Sequence, residues 1–223
     1  MGIRYILFDA AGTLIYPAPA VAEAYEAIGR EHGCSLTAAE IKPRFAVAYD
    51  RVFAQSRDLA TDEARERQRW RSVVAEVFRE WSHAVDDLLE NLWRHFAVPE
   101  HWPLFEDVAS TWEKLTARGY ALGIASNFDG RLRRILASRL ELDPALLFVS
   151  TALGHAKPSE SFFAAIQQRL AASAPEILMV GDDFENDVLA PRRAGWHALH
   201  LQRRQHLPDA LSGLEELLFH LPD

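Results

Sequence analysis

The run YILF (5–8) is apolar and ends at a single carboxylate, Asp9. Ala11, a turn-forming Gly12 and the hydroxyl of Thr13 follow it. Three later apolar runs end in the same manner. YALGIAS (120–126) closes on Ser126 and Asn127, LLFVS (146–150) leads into GHAKP with Lys157, and EILMVG (176–181) leads into DDFEND with Asp182, Asp183 and Asp187. Taken singly, each has an ordinary explanation. An Asp after a strand forms turns, a Ser-Asn pair caps helices, and a loop lysine is usually solvated. Four polar groups at four successive strand ends are a stronger signal. In an open parallel sheet those ends share one edge, and such sheets bind ligands there.

The residue types suit phosphoryl transfer. A carboxylate can attack phosphorus and carry the phosphoryl group as an aspartyl-phosphate. The carboxylate and the phosphate repel each other, and magnesium held by two carboxylates overcomes that repulsion. A lysine adds fixed positive charge, while a serine hydroxyl and backbone N–H groups hold the phosphoryl oxygens.

The elements that must position these groups follow from apolar spacing. Residues 4–15 read as a strand and its turn, 20–96 as nearly all helix, and 104–201 as helices alternating with short β-branched runs. In the helical part, VAEAYEAIGREHG has helical spacing and a stop at Gly33. Thr37 and Glu40 have capping-box spacing, and Pro43 is expected to kink or delay the helix they start. DEARERQRWRSVVAEVFREW and AVDDLLENLWRHF are amphipathic, and VPEHWP (98–103) breaks the pattern. Beyond it, LFEDVASTWEKLTARG, GRLRRILASRL, PSESFFAAIQQRLAAS and ENDVLAPRRAG read as helices between strands, with HALHL (197–201) the last strand. This alternation predicts right-handed βαβ units and an α/β fold with a doubly wound parallel sheet. Two domains are expected: a core of 1–16 and 104–223, and an inserted α-helical domain of 17–103. Leaving from the ligand-binding edge, the insert would lie over the site as a lid.

Composition narrows the function classes. Of 223 residues, 49% are hydrophobic and 25% charged, which is the profile of an ordinary soluble protein. No apolar run reaches the ~18 residues of a membrane span, and no secretory signal pattern opens the chain. Cys34 is the one cysteine, so no intrachain disulfide forms and a cytoplasmic location is expected. The net charge of −8 argues against nucleic acid as a partner. The arginines of EARERQRWR (63–71) alternate with acids and glutamine, as on a solvated helix face. The expected partner is a small molecule, with neither nucleic acid nor membrane, and the chain is expected as monomer or homodimer. His155 reads as a loop residue, and His197 and His200 lack metal-ligand partners. Phe53, Trp70, Phe78, Trp81, Trp93 and Phe96 recur at helical spacing and read as the core of the insert.

With these motifs in order, the chain resembles the haloacid dehalogenase-like hydrolase superfamily over essentially its full length. DAAGT (9–13) matches that family's D-x-D-G-T except at Ala11. Ser126 matches its strand-end Ser or Thr, Lys157-Pro158 its lysine motif, and Gly181, Asp182 and Asp187 its G-D-x-x-x-x-D, followed by APRRAG (190–195). ASNFDGRL (125–132) and the long helical insert are similar to the subgroup called haloacid dehalogenase-like hydrolase domain-containing proteins. The resemblance implies a Rossmann-like core with a helical cap at 17–103 that governs substrate choice. It implies Asp9 as nucleophile, with Ser126 and Lys157 as further catalytic groups and Gly12, Thr13, Ser126, Asn127 and Lys157 as substrate-binding groups. It also implies Mg²⁺ held by Asp9, the carbonyl of Ala11, Asp182 and Asp187, with Asp187 supporting the metal or Lys157.

In the family's phosphatases the second Asp of the first motif protonates the leaving group and then activates water. Ala11 can do neither, and such a group contributes ~10²–10⁴-fold in rate. The reading preferred is a magnesium-dependent phosphatase of a small phosphorylated metabolite. It either uses leaving groups that need little protonation or takes an acid from substrate, water, Asp129 or Asp183. Three alternatives stand beside it. A phosphonate carbon–phosphorus hydrolase needs a cap lysine, and only Lys42 is there. A haloacid dehalogenase usually lacks the metal acids. A catalytically silent binding protein should have lost more than one motif residue.

Overall fold

The computed structural model of the protein describes residues 2–54, 60–137 and 139–221. Six strands form one sheet: β1 (Tyr5–Phe8), β2 (Ala121–Ser126), β3 (Leu147–Val149), β4 (Ile177–Gly181), β5 (His197–Leu201) and β6 (Ala210–Leu211). Their order is β3-β2-β1-β4-β5-β6, and every pairing is parallel. Ile6, Leu7 and Phe8 of β1 and all five residues of β4 are buried. Strands without polar alternation belong in the middle of a parallel sheet covered on both faces, and these two occupy it. The chain runs outward from β1 through β2 to β3, then returns to the other side of β1. The order therefore reverses between β1 and β4, the point where such sheets form a binding crevice at their carboxyl ends.

Contacts divide the chain into two compact units, Met1–Tyr16 with Leu59–Thr61 and Leu104–Asp223, and Pro17–Asp58 with Asp62–Pro103. The second unit is helical: α1 (Val21–Glu31), α2 (Ala38–Tyr49), α3 (Glu63–Val77) and α4 (Val85–His95). Its core gathers Tyr25, Ile41, Val73, Val77, Phe78, Leu88 and Leu92, with the Tyr25 and Phe78 rings stacked at 5.8 Å. Thr37 and Glu40 make the anticipated capping box on α2. Pro43 does not break α2 but lies inside it. Its fixed φ is helical and it removes one hydrogen bond, while buried Ile41 and Ala48 anchor the helix on either side.

The first unit carries α5 (Val108–Ala117), α6 (Arg131–Leu136), α7 (Ser150–Leu153), α8 (Glu160–Leu170), α9 (Ala190–Arg193) and α10 (Leu217–His220). Phe162 and Phe163 of α8 pack with Leu7, Ala125, Phe148, Met179 and Trp196, each Phe, Leu or Met side chain worth about 1.5–3 kcal/mol on full burial. Trp196 meets Phe163 edge-on at 5.2 Å and donates its indole N–H to Gln167 Oε1 at 3.0 Å. Ala60 and Thr61, from the middle of the expected insert, pack on this unit. Ala60 forms an antiparallel bridge with His155, and Thr61 N donates to Gly154 O at 3.0 Å. A two-residue contact has no periodicity for a sequence reading to detect. No helix among the described residues is long and apolar enough to cross a membrane.

Candidate active site

Asp9 follows β1 directly, and its N–H donates to Val180 O at 2.9 Å, extending the pairing with β4 by one residue. Lys157 is 3% exposed, and its three ammonium protons are all used. Nζ donates to Asp9 Oδ1 at 2.8 Å, to Asp187 Oδ1 at 2.6 Å and to Ala125 O at 2.9 Å. Asn127 fixes the lysine's main chain, donating Nδ2 to Lys157 O at 2.9 Å and accepting Lys157 N on Oδ1 at 2.8 Å. Burial works against the ammonium, but Asp187 and Asp9 outweigh it and hold Lys157 above the usual lysine range. The side chain is thus a fixed positive charge at neutral pH, touching the carboxylate that ends β1.

Asp182 follows β4 across the crevice. Gly12 has φ of 94°, and a Cβ there would lie 2.4 Å from Asp182 Oδ2, so only glycine gives both the turn and the close approach. Thr13 Oγ1 donates to Asp182 Oδ1 at 3.0 Å. Asp182 is an exposed residue by its surface as a whole, yet its carboxyl is crowded by protein. Desolvation of that position, and then the Asp9 carboxylate, push it up to about 6, against the pull of Thr13. Asp187 is 1% exposed; burial raises its carboxyl while the ammonium of Lys157 opposes the rise. Its Oδ2 accepts Asp183 N at 3.1 Å. The expected regular helix over 185–195 is a π-helical turn, Phe184–Leu189, followed by the short α9. Wide turns of this kind recur at functional sites, and here the turn carries Asp187.

Asp9, Asp182 and Asp187 each offer an oxygen within 4.8 Å of the others. Both Asp187 oxygens are already bonded, to Lys157 and to Asp183 N, which makes Asp187 the brace of the lysine. Asp9 Oδ2 and Asp182 Oδ2 accept no hydrogen bond from another of the described residues. Neither does the Ala11 carbonyl, because the turn instead uses Ala10 O, for Thr13, Leu14 and Ile15 N, and Ile15 O, for Gly12 N. The carboxylate oxygens of Asp9 and Asp182 are hard donors of the kind that fits magnesium.

Hydrogen bonds thus join Asp9, Asn127 and Asp187 to Lys157, Thr13 and Gly12 lie against Asp182, the three carboxylates fall within 4.8 Å, and Ser126 is buried as the last residue of β2. Gly12 and Thr13 form part of the turn that seats Asp182. Their N–H groups bond to Ile15 O and Ala10 O, and both residues serve by shaping the seat of Asp182. Asn127 likewise spends its amide on Lys157. Of the two candidate replacement acids, Asp129 is 1% exposed and both its oxygens are taken by Arg131, at 2.8 and 2.6 Å. Asp183 is exposed and caps Asn186 N at 2.8 Å. Ala11 presents only a methyl group, and Lys42 is exposed on α2. His200 was not foreseen: its Nε2 lies 3.1 Å from Asp182 O, so that nitrogen carries the proton. The register pairing Gly181 with His200 puts it there, and no motif marks it.

A family model described as haloacid dehalogenase-like hydrolase matches residues 3–195. Human haloacid dehalogenase-like hydrolase domain-containing protein 3 is 31% identical over 207 residues, 88% of this chain and 80% of that protein. Ribulose-1,5-bisphosphate 5-phosphatase of Halopiger xanaduensis is 31% identical over 101 residues, 44% of this chain and 42% of that one. Among solved structures, the magnesium-bound Bacillus subtilis HAD-hydrolase YfnB superposes with a TM-score of 0.76 at 19% identity, covering 99% of both chains. A 2-haloacid dehalogenase from Pseudomonas syringae pv. tomato DC3000 superposes with a TM-score of 0.65 at 21% identity, covering 97% of both. A shared fold does not choose between phosphoester and carbon–halogen chemistry; the residues at the crevice must.

Proposed function

The chain belongs to the haloacid dehalogenase-like hydrolase family, and on that premise we propose that it is a magnesium-dependent phosphatase of a small phosphorylated metabolite. The observation that carries the reading is the close cluster of Asp9, Asp182 and Asp187 carboxylate oxygens beside a buried, charged Lys157. A halide-displacing site has no need of a cation seat. Residues 17–103 are read as the cap that selects the substrate, because they leave the chain after the β1 turn and return before α5.

With Lys157 holding Asp9 Oδ1, the Oδ2 atom is the nucleophile. It forms a bond to phosphorus while the bond from phosphorus to the leaving oxygen breaks, and the electron pair departs on that oxygen. Water then attacks phosphorus, the bond to Asp9 Oδ2 breaks, and inorganic phosphate is released. Magnesium, when bound by Asp9, Asp182 and the Ala11 carbonyl, supplies positive charge against the phosphoryl oxygens. Lys157 holds Asp9 Oδ1 and adds positive charge of its own, and Ser126 is assigned to the transferring phosphoryl group. Because Ala11 carries no proton and Asp129 is held by Arg131, the departing oxygen must leave without help from either. Acyl phosphates and activated aryl phosphates meet that condition, and simple alkyl phosphates do not.

The test is a panel of acyl, aryl and alkyl phosphates assayed with magnesium and with chelator, with Asp9→Asn as control. Magnesium-dependent release of phosphate, fastest from acyl and aryl esters and lost in the control, is expected. No turnover of any phosphate would remove the proposal.

A further inference from the structure

Beyond the motif residues, one buried ion pair bears on the metal seat. Arg203, just after β5, donates Nη1 to Asp107 Oδ2 at 2.8 Å and Nη2 to Asp107 Oδ1 at 2.9 Å. The two side chains are only 15% and 10% exposed. Asp107 Oδ2 also accepts Leu214 N at 2.7 Å, and the guanidinium lies 4.0 Å over the Phe105 ring. Such a pair is weak evidence for stability, since desolvation offsets the attraction. Arg203 Nε is moreover buried without a partner among the described residues, a further cost. The geometry has a use instead. Nη2 makes one more bond, to the carbonyl of Thr13 at 2.8 Å, and the hydroxyl of that same threonine holds Asp182 Oδ1. A planar fork can grip a carboxylate with two donors and still spare one for a carbonyl; a lysine ammonium is a point charge and cannot reproduce this.

We infer that Arg203, set in place by Asp107, is a positioning residue for the magnesium seat, acting through Thr13 on Asp182. Phe105 extends the arrangement. Its ring meets Tyr16 at 4.8 Å and its N–H donates to Leu14 O at 3.0 Å, so the two chain segments flanking the insert meet where Arg203 stacks. The pair therefore joins the β1 turn, the return of the chain at Phe105, the segment after β5 and the start of the C-terminal stretch at Leu214. Neither Arg203 nor Asp107 belongs to the four strand-end motifs. The inference rests on the magnesium reading above.

The measurement is the Mg²⁺ dissociation constant by calorimetric titration, beside the melting temperature of the metal-free protein, for wild type, Arg203→Lys and Arg203→Met. Groups that orient metal ligands typically change metal affinity 10–100-fold when removed. Since Arg203 acts through one intermediary, Arg203→Met is expected to bind Mg²⁺ about tenfold more weakly, at the low end of that range, with Arg203→Lys between it and wild type. A variant that melts lower without metal yet binds Mg²⁺ as tightly as wild type shows a merely structural pair and overturns the inference, leaving the phosphatase reading intact. Should Arg203→Met fail to fold, Arg203→Lys decides, since it retains the charge opposite Asp107 and wild-type affinity in it is likewise fatal. Wild type that binds no Mg²⁺ overturns both this inference and the reading beneath it.

Discussion

Replacing Gly181 with alanine tests how Asp187 and Lys157 are held. Gly181 ends β4, and a Cβ on it would lie 2.2 Å from Asp187 Oδ2, 2.4 Å from its Cγ and 2.6 Å from its Cβ. Ordinary contact begins near 3.4 Å, so the carboxylate must retreat by about 1.2 Å, the difference between 3.4 and 2.2 Å. Rotating the side chain does not suffice, because the Asp187 Cβ is itself too close and the turn from Asp183 must shift with it. A shift of that size can take Asp187 Oδ1 out of bonding range of Lys157 Nζ, now 2.6 Å away. Removing one partner of a buried ion pair costs about 3–5 kcal/mol. Here the carboxylate is displaced and Asp9 still holds the lysine, so about 3 kcal/mol is expected. For a chain of this size that corresponds to a melting temperature lower by about 6–12 °C. The assay is thermal melting by circular dichroism in chelator, so that metal binding does not enter. A melting temperature within a degree of wild type would refute the reasoning, showing that the turn relaxes around the new methyl at no cost.

Two further outcomes follow from the same geometry. Ala11→Asp should accelerate hydrolysis of an alkyl phosphate by up to ~10²–10⁴-fold and do much less for an acyl phosphate; equal gains on both, read from initial rates, would show that protonation is not the defect. Asp182 has a folded-state pKa raised to about 6, above the ordinary aspartate value, so the metal-free native state holds its proton more tightly than the unfolded chain. That contribution to stability is present at low pH and is lost as pH rises toward and through 6. Melting curves of wild type and Asp182→Asn in chelator should diverge over that window, with the variant less sensitive to pH, and parallel pH profiles would contradict the assignment.

The sheet was legible because its strands are short, apolar and separated by helical patterns. Asp9, Lys157, Asp182 and Asp187 stood out because each interrupts an apolar run or follows one at a strand end. What could not be read was anything set by register or by bonds between distant segments. His200 reaches Asp182 only because β5 pairs with β4 in one register, and Arg203 reaches Thr13 across 190 positions of sequence. The two-residue strand β6 and the Ala60 bridge are too short to carry a period. Pro43 lies inside α2, where buried Ile41 and Ala48 hold the helix on either side. Gly12 and Thr13 were identified as site residues, but that their N–H groups close the turn on Ile15 O and Ala10 O was not legible. Local hydrogen-bond accounting of that kind needs coordinates.

The central claim is that Asp9 takes the phosphoryl group. The most direct measurement is the mass of the protein after acid quench of a single turnover with an acyl phosphate and Mg²⁺, followed by mapping of the modified peptide. The account predicts one added phosphoryl group on the peptide containing Asp9, labile to hydroxylamine as an acyl phosphate should be, and no such species in Asp9→Asn. Turnover without any phosphoryl-protein, or a phosphoryl group on another residue, would contradict it.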